Sequence, residues 1–260
     1  MPDQIVPERF SRAALLAGDD MMSALAACSV LVFGVGGVGS WCVEALARTG
    51  IGRITIVDSD TVAESNINRQ LPALADTVGE LKVEVLRRRI ARINPDCRVE
   101  ALAARYTPDS APAFAVESYD YVIDAIDSLP DKADLILRCT DPSTAPRCAF
   151  YSSMGAARRI DPSKIAVAEF WKVAGDGLAR ALRTRFRRSS TFPVRKFQVV
   201  YSTESPLPQP AAVNSAAPAA GEAAAARQPN GTFAHLTAAF GLRLASLVIE
   251  DLYRRYHPER

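Results

Sequence analysis

The 260-residue chain is short of cysteine and of long apolar runs, and each scarcity excludes something. Its five cysteines, Cys28, Cys42, Cys97, Cys139 and Cys148, are scattered, odd in number and form no CxxC pair. That pattern argues against a disulfide framework and a zinc ribbon, and predicts a reducing, cytoplasmic setting without zinc. No stretch is apolar for the length of a membrane span, since the closing helix is interrupted by His235, Arg243, Glu250 and Asp251, so no membrane partner is expected. The first ten residues, MPDQIVPERF, lack the basic-then-apolar plan of a secretion signal. Internal repeats are absent. The net charge is only +2, so any basic surface must be local.

What is present is an ordinary globular balance, 48% hydrophobic and 23% charged, with enough chain for one large α/β domain or two small ones. Residues 29–33 are an apolar run that reads as a buried parallel strand, followed by a glycine-rich turn and a helix to about Arg48. A second strand is expected over 53–58, an amphipathic helix over 81–93 that Asn94-Pro95 stops, and further strands over 98–102 and 119–126. Strands alternating with helices predict a doubly wound, mostly parallel Rossmann-type sheet. Past 150 the pattern loosens into a smaller α/β extension over 151–256, with strands at 165–170 and 197–202. Residues 205–231, rich in Ala, Pro, Gly, Gln and Asn, read as a mobile loop. A closing helix follows, with Phe233, Leu236, Phe240, Leu244, Leu247 and Val248 on one face.

The turn Gly34-Val35-Gly36-Gly37-Val38-Gly39-Ser40 stands between a strand and a helix. Gly34 and Gly36 leave room for a tight turn and for phosphate, Gly39 permits close helix–sheet packing, and the helix N-terminus offers N–H groups to an anion. Asp58, ending the second strand, is placed to accept hydrogen bonds from ribose hydroxyls. This much suits NAD as well as ATP. Downstream, Asn66-Ile67-Asn68-Arg69-Gln70 packs amides and a guanidinium into one segment, Lys82 opens the next helix, and Asp124 and Asp127 lie at the ligand-binding edge of the sheet. A triphosphate needs such a set, because cations neutralise and orient its phosphates while a carboxylate holds magnesium.

In chain order GVGGVGS, VDSD (57–60), NINRQ (66–70), Lys82 and DAIDS (124–128) resemble the superfamily of ubiquitin-activating enzymes and of bacterial relatives that adenylate sulfur-carrier proteins. The resemblance spans about residues 8–150 and implies an ATP-binding adenylation domain. It assigns Gly34, Gly36, Gly37, Gly39, Asp58, Asp60, Asn66, Gln70 and Asp124 to the nucleotide pocket, with Asp58 on the ribose. By the same likeness Asn68 and Arg69 contact phosphates, Lys82 reaches the β- and γ-phosphates, and Asp127 binds Mg2+. Arg12 aligns with an arginine that relatives insert into the partner's site, which implies a homodimer.

The phrase from Glu44 to Gly52, EALARTGIG, the segment YVIDAIDS at 121–128, IDP at 160–162 and YSTE at 201–204 narrow the resemblance to the tRNA threonylcarbamoyladenosine dehydratases. That family implies an ATP-dependent cyclisation of threonylcarbamoyl-adenosine beside the tRNA anticodon, through an acyl-adenylate. Adenylation of a sulfur-carrier protein's C-terminus is the alternative. The missing CxxC pairs, and the absence of any cysteine after Cys148, speak against it.

Between Gly177 and Thr203 there is no acid, while Arg180, Arg183, Arg185, Arg187, Arg188, Arg195 and Lys196 are basic, with Arg158 and Arg159 nearby. From charge alone this is a solvated helix face or an RNA-backbone contact. The dehydratase resemblance favours tRNA, recognised by shape and phosphates since no RRM or KH signature occurs.

Overall fold

The computed structural model describes residues 6–145, 148–210 and 230–259. Two short helices, α1 (Ser11–Ala17) and α2 (Asp19–Ala27), lead into β1 (Ser29–Phe33), where Val30, Leu31, Val32 and Phe33 are fully buried. A strand covered on both faces has no polar side, so its apolar run is unbroken, and each such side chain contributes roughly 1.5–3 kcal/mol of burial.

β1 pairs in parallel with β2 (Arg53–Val57) and with β4 (Tyr121–Asp124). β3 (Arg98–Leu102) lies beyond β2, and β5 (Ala149–Ser153) beyond β4, also in parallel. Helices α3 (Gly39–Thr49), α4 (Lys82–Ile93) and α5 (Leu129–Thr140) make the crossovers. Helix α3 and helix α4 are stapled by Glu44, which accepts from Arg89 at 2.8 and 2.9 Å and from Arg48 at 2.8 Å. Burial raises the Glu44 pKa, but these arginines outweigh it and hold the carboxyl below its ordinary value.

The residues past 150 continue this sheet instead of building a second one. β7 (Gln198–Ser202) pairs in parallel with β5, and β6 (Ile165–Glu169) runs antiparallel to β7, completing the order β3-β2-β1-β4-β5-β7-β6. Between them runs α6 (Gly177–Ser189), which packs on α5, and the long α7 (Ala234–Tyr256) packs on α3. Five of the six apolar residues expected on the face of α7 are buried. The sixth, Phe233, is the N-cap and 58% exposed, because it precedes the first helical turn. Most of the expected 205–231 loop, residues 211–229, lies outside the described residues. Among the described residues no helix is long and apolar enough to cross a membrane.

Candidate active site

The parallel strands carry their C-terminal ends to one edge, and the glycine turn stands there. Gly34 has φ 82, and a Cβ on it would lie 2.8 Å from the Ala125 carbonyl oxygen. A Cβ on Gly39 would fall 1.8 Å from the Gly34 oxygen, so an alanine there would force turn and helix apart. Val38, at the N-cap of α3, provides no side-chain cap, and the Ser40 N–H turns back to the Gly36 carbonyl at 3.2 Å. Asp58, half-buried past β2, accepts from the Val35 N–H at 2.8 Å and the Asp60 N–H at 2.9 Å. One carboxylate therefore fixes the glycine turn and its own loop while keeping lone pairs for a ligand.

The NINRQ segment folds onto this turn. A Cβ on Gly36 would lie 3.7 Å from Gln70 Nε2, and one on Gly37 3.5 Å from Arg69 Cγ. Arg69 Nη1 donates to the Ser65 carbonyl at 2.8 Å and to Asn68 Oδ1 at 2.9 Å, which sets the guanidinium's direction. Asn68 Nδ2 reaches the Thr232 carbonyl at 3.0 Å, and Asn66 Oδ1 accepts from the Ala63 N–H at 3.2 Å. Gln70 Oε1 is buried without a partner, a cost that a ligand's donor would relieve. Lys82 is no surface charge: its side chain is 5% exposed, with Nζ 2.8 Å from Asp60 Oδ2.

Asp124 and Asp127 part company. Asp124, fully buried, pairs with the equally buried Lys132 at 2.8 Å and accepts from Ser152 Oγ at 2.7 Å. Its other oxygen takes the Ile126 N–H at 3.0 Å, and Lys132 Nζ donates to the Ile126 carbonyl at 3.0 Å. Asp124, expected in the nucleotide pocket, has its carboxylate bonded to the sheet and to the loop that follows. That loop carries Asp127, which is exposed at the ligand edge. Arg105, which the sequence reading missed, feels the charges of Asp131, Asp127 and Asp60 and donates to Asp131 at 2.8 Å.

Arg12 lies on a helix that begins away from the glycine turn of its own chain. Phe10, at the start of its helix, lies 3.6 Å from a Cβ placed on Gly50, at the far end of α3. The glycine turn is one 11-residue helix away, about 16 Å at 1.5 Å per residue. Among the described residues no group of three or more His, Cys, Asp or Glu could hold a metal unaided.

The IDP and YSTE segments meet, because Glu204 Oε2 accepts from the Ile160 and Asp161 N–H groups at 3.0 Å each. Of the basic set, Arg159 is buried against Asp176 at 3.1 Å, Arg195 donates to the Cys139 and Thr140 carbonyls, and Arg183 donates to those of Phe170 and Val173. Arg180, Arg185, Arg187 and Arg188 are exposed on α6.

A glycine turn at a helix N-terminus, an acid following the next strand, and an arginine-bearing segment folded against the turn define a nucleotide-binding α/β domain of the adenylating class. Residues 10–158 match the ThiF family. The chain is 42% identical to the Bacillus subtilis tRNA threonylcarbamoyladenosine dehydratase, with 76% of each chain covered. It is 37% identical to the Haemophilus influenzae dehydratase over 95% of this chain and 94% of that one. The Escherichia coli dehydratase TcdA, solved in complex with ATP, matches with a TM-score of 0.81 at 34% identity, over 98% of this chain and 100% of that chain. The chain belongs to the ThiF family and, within it, to the tRNA threonylcarbamoyladenosine dehydratases.

Proposed function

We infer that the chain uses ATP to dehydrate threonylcarbamoyl-adenosine in tRNA to its cyclic hydantoin form. The observation that carries this beyond family membership is the packing of Arg69 and Gln70 on the glycine turn, with Lys82 on the same edge. A dinucleotide site needs no such set around one pyrophosphate.

In this reading the substrate carboxylate attacks the α-phosphate of ATP, pyrophosphate leaves, and an acyl-adenylate forms. A urea nitrogen then attacks the acyl carbon, AMP leaves with the carboxylate oxygen, and the nitrogen's proton is lost. Asp58 takes the ribose hydroxyls. Arg69, already oriented by Ser65 and Asn68, holds the phosphates, and Lys82 exchanges Asp60 for a phosphate oxygen. Asp127 is the residue that would hold Mg2+, an ion that suits one exposed carboxylate because it keeps several waters and takes substrate phosphates for the rest. When bound, the ion neutralises charge on the phosphates. The other site carboxylate, Asp124, shapes the Asp127 loop from within.

The working unit is a homodimer. Leu15 and Leu16, 80% and 74% exposed, lie three and four residues beyond Arg12 on α1, so they share its face and suit a second copy. A cytoplasmic setting agrees with the buried, unpaired thiols. The test is incubation with ATP and tRNA carrying the open threonylcarbamoyl group. The nucleoside should lose one water as AMP appears, and an unchanged nucleoside would refute the reading.

A further inference from the structure

One exposed surface has no part in the adenylation chemistry. Ser190, at φ 52, turns the chain at the end of α6 and brings Phe192 beside Trp171. The two rings stand 6.2 Å apart at 44° and are 48% and 36% exposed. Trp171 is braced from below by Phe170, edge-on at 5.3 Å, and Phe170 is fully buried and stacked on Phe197 at 5.0 Å. Glu169 Oε2 accepts the Trp171 N–H at 3.1 Å, which fixes the indole's backbone. The ledge is thus rigid before anything binds.

Glu169 is spent on the Trp171 N–H, and the exposed charges beside the rings and along α6 are basic. Lys172 follows Trp171, Arg187 and Arg188 end α6, and Arg180 and Arg185 are exposed along it. Positions 180, 183 and 187 share one face of the helix, and burial with the charge of Arg187 lowers the Arg183 pKa against the opposing charge of Asp176. Exposed rings set among cations suit a partner that carries planar π-faces and anions alternately along its length. A single-stranded stretch of RNA is such a partner.

The ledge also has a defined place. Trp171 follows β6, whose end residue Glu169 pairs with Gln198 at the N-terminal end of β7. It therefore sits at the sheet edge opposite the glycine turn, about 17 Å away along the strand direction and four strand spacings, about 19 Å, across the sheet. A base held there is not the base being modified.

We propose that Trp171 and Phe192 form a stacking ledge for an unpaired base of the RNA substrate, distant from the reacting adenosine, with the α6 arginines on the adjoining phosphates. This rests on the tRNA reading above. The test compares wild type, a W171L/F192L double variant and a W171Y/F192Y double variant, each titrated with bulk tRNA and with a blunt RNA duplex across a salt series. The leucine variant should lose at least about fivefold in tRNA affinity, at an unchanged salt slope, while its duplex affinity stays at the wild-type level. The tyrosine variant should bind both RNAs like wild type. By contrast, changing Arg180, Arg185, Arg187 and Arg188 to Ser should flatten the salt slope by about 0.7–0.9 per lost contact. Stabilisation by ATP in every variant verifies an intact fold. Wild-type tRNA affinity in the leucine variant, or an equal loss for tRNA and duplex, would overturn the ledge and leave its aromatics to a protein or lipid contact. Failure of the wild-type protein to bind tRNA at all would instead sink the tRNA reading itself.

Discussion

Lys82 Nζ lies 2.8 Å from Asp60 Oδ2, and the two ends of this pair differ in exposure, 5% against 66%. The cation is anchored in the fold while its partner stands in solvent. A nucleotide phosphate can therefore replace the carboxylate without Lys82 leaving its place, and Asp60 loses little by returning to water. Lys82→Ala and Asp127→Ala should each lower single-turnover hydantoin formation by about a hundredfold, since preorganised charge at a reacting phosphate is worth several kcal/mol. A near-normal rate in either folded variant would remove that residue from the site.

Asp124 and Lys132 are bound to the fold more than to the ligand. Lys132→Met leaves a fully buried carboxylate unpaired and should lower unfolding free energy by about 3–5 kcal/mol in urea denaturation. Adding Asp124→Asn to that variant should recover part of the loss, because the uncompensated charge is gone. A Lys132→Met protein as stable as wild type would contradict the pairing.

These two lysines mark what the sequence could and could not tell. The edge residues were legible because strand, glycine turn and trailing acid come at fixed spacing, and Asn66 to Gln70 form a compact polar segment. The Lys132 partner of Asp124 was not legible, because an acid ending a strand reads the same whether it faces solvent or a buried lysine eight residues on. Arg105 gave no local signal, since its partner Asp131 is distant in sequence. β5 went unread because AFYSS is half polar, its serines being buried only through partners such as Asp124. The basic segment overcounted contacts for a related reason: charge alone cannot reveal that Arg159, Arg183 and Arg195 are committed to interior carbonyls and a carboxylate.

The chemistry should need no thiol. Burial pushes Cys28 and Cys148 up to about 12 and Cys97 to about 11, from 9.0, and raises Cys42 and Cys139 as well. A variant with all five changed to Ala or Ser should still cyclise the modified base if it folds. The raised values also set a sign. The unfolded thiols lose their protons first, so this contribution is complete below about pH 9 and fades as pH rises through 11–12. The thiol-free variant should therefore show a shallower fall in melting temperature above pH 9, and an equal or steeper fall would contradict the assignment.

Arg12 should act on the partner's site. Mixing an Arg12→Ala protein with a Lys82→Ala protein, each nearly inactive alone, should restore about a quarter of wild-type activity after exchange of subunits. Half of the random pairs are mixed, and each mixed pair holds one intact site. Leu15→Asp with Leu16→Asp should yield a monomer that exchanges no subunits. Absence of recovery between freely exchanging proteins would assign Arg12 to its own chain or to no site at all.

The most direct measurement is exchange of labelled pyrophosphate into ATP, with tRNA from cells that make threonylcarbamoyl-adenosine but lack the cyclising enzyme. Reversible carboxylate adenylation predicts exchange that requires both this tRNA and the chain, and that disappears in Lys82→Ala. Exchange without that tRNA, or exchange driven instead by a sulfur-carrier protein with a free C-terminus, would contradict the dehydratase reading.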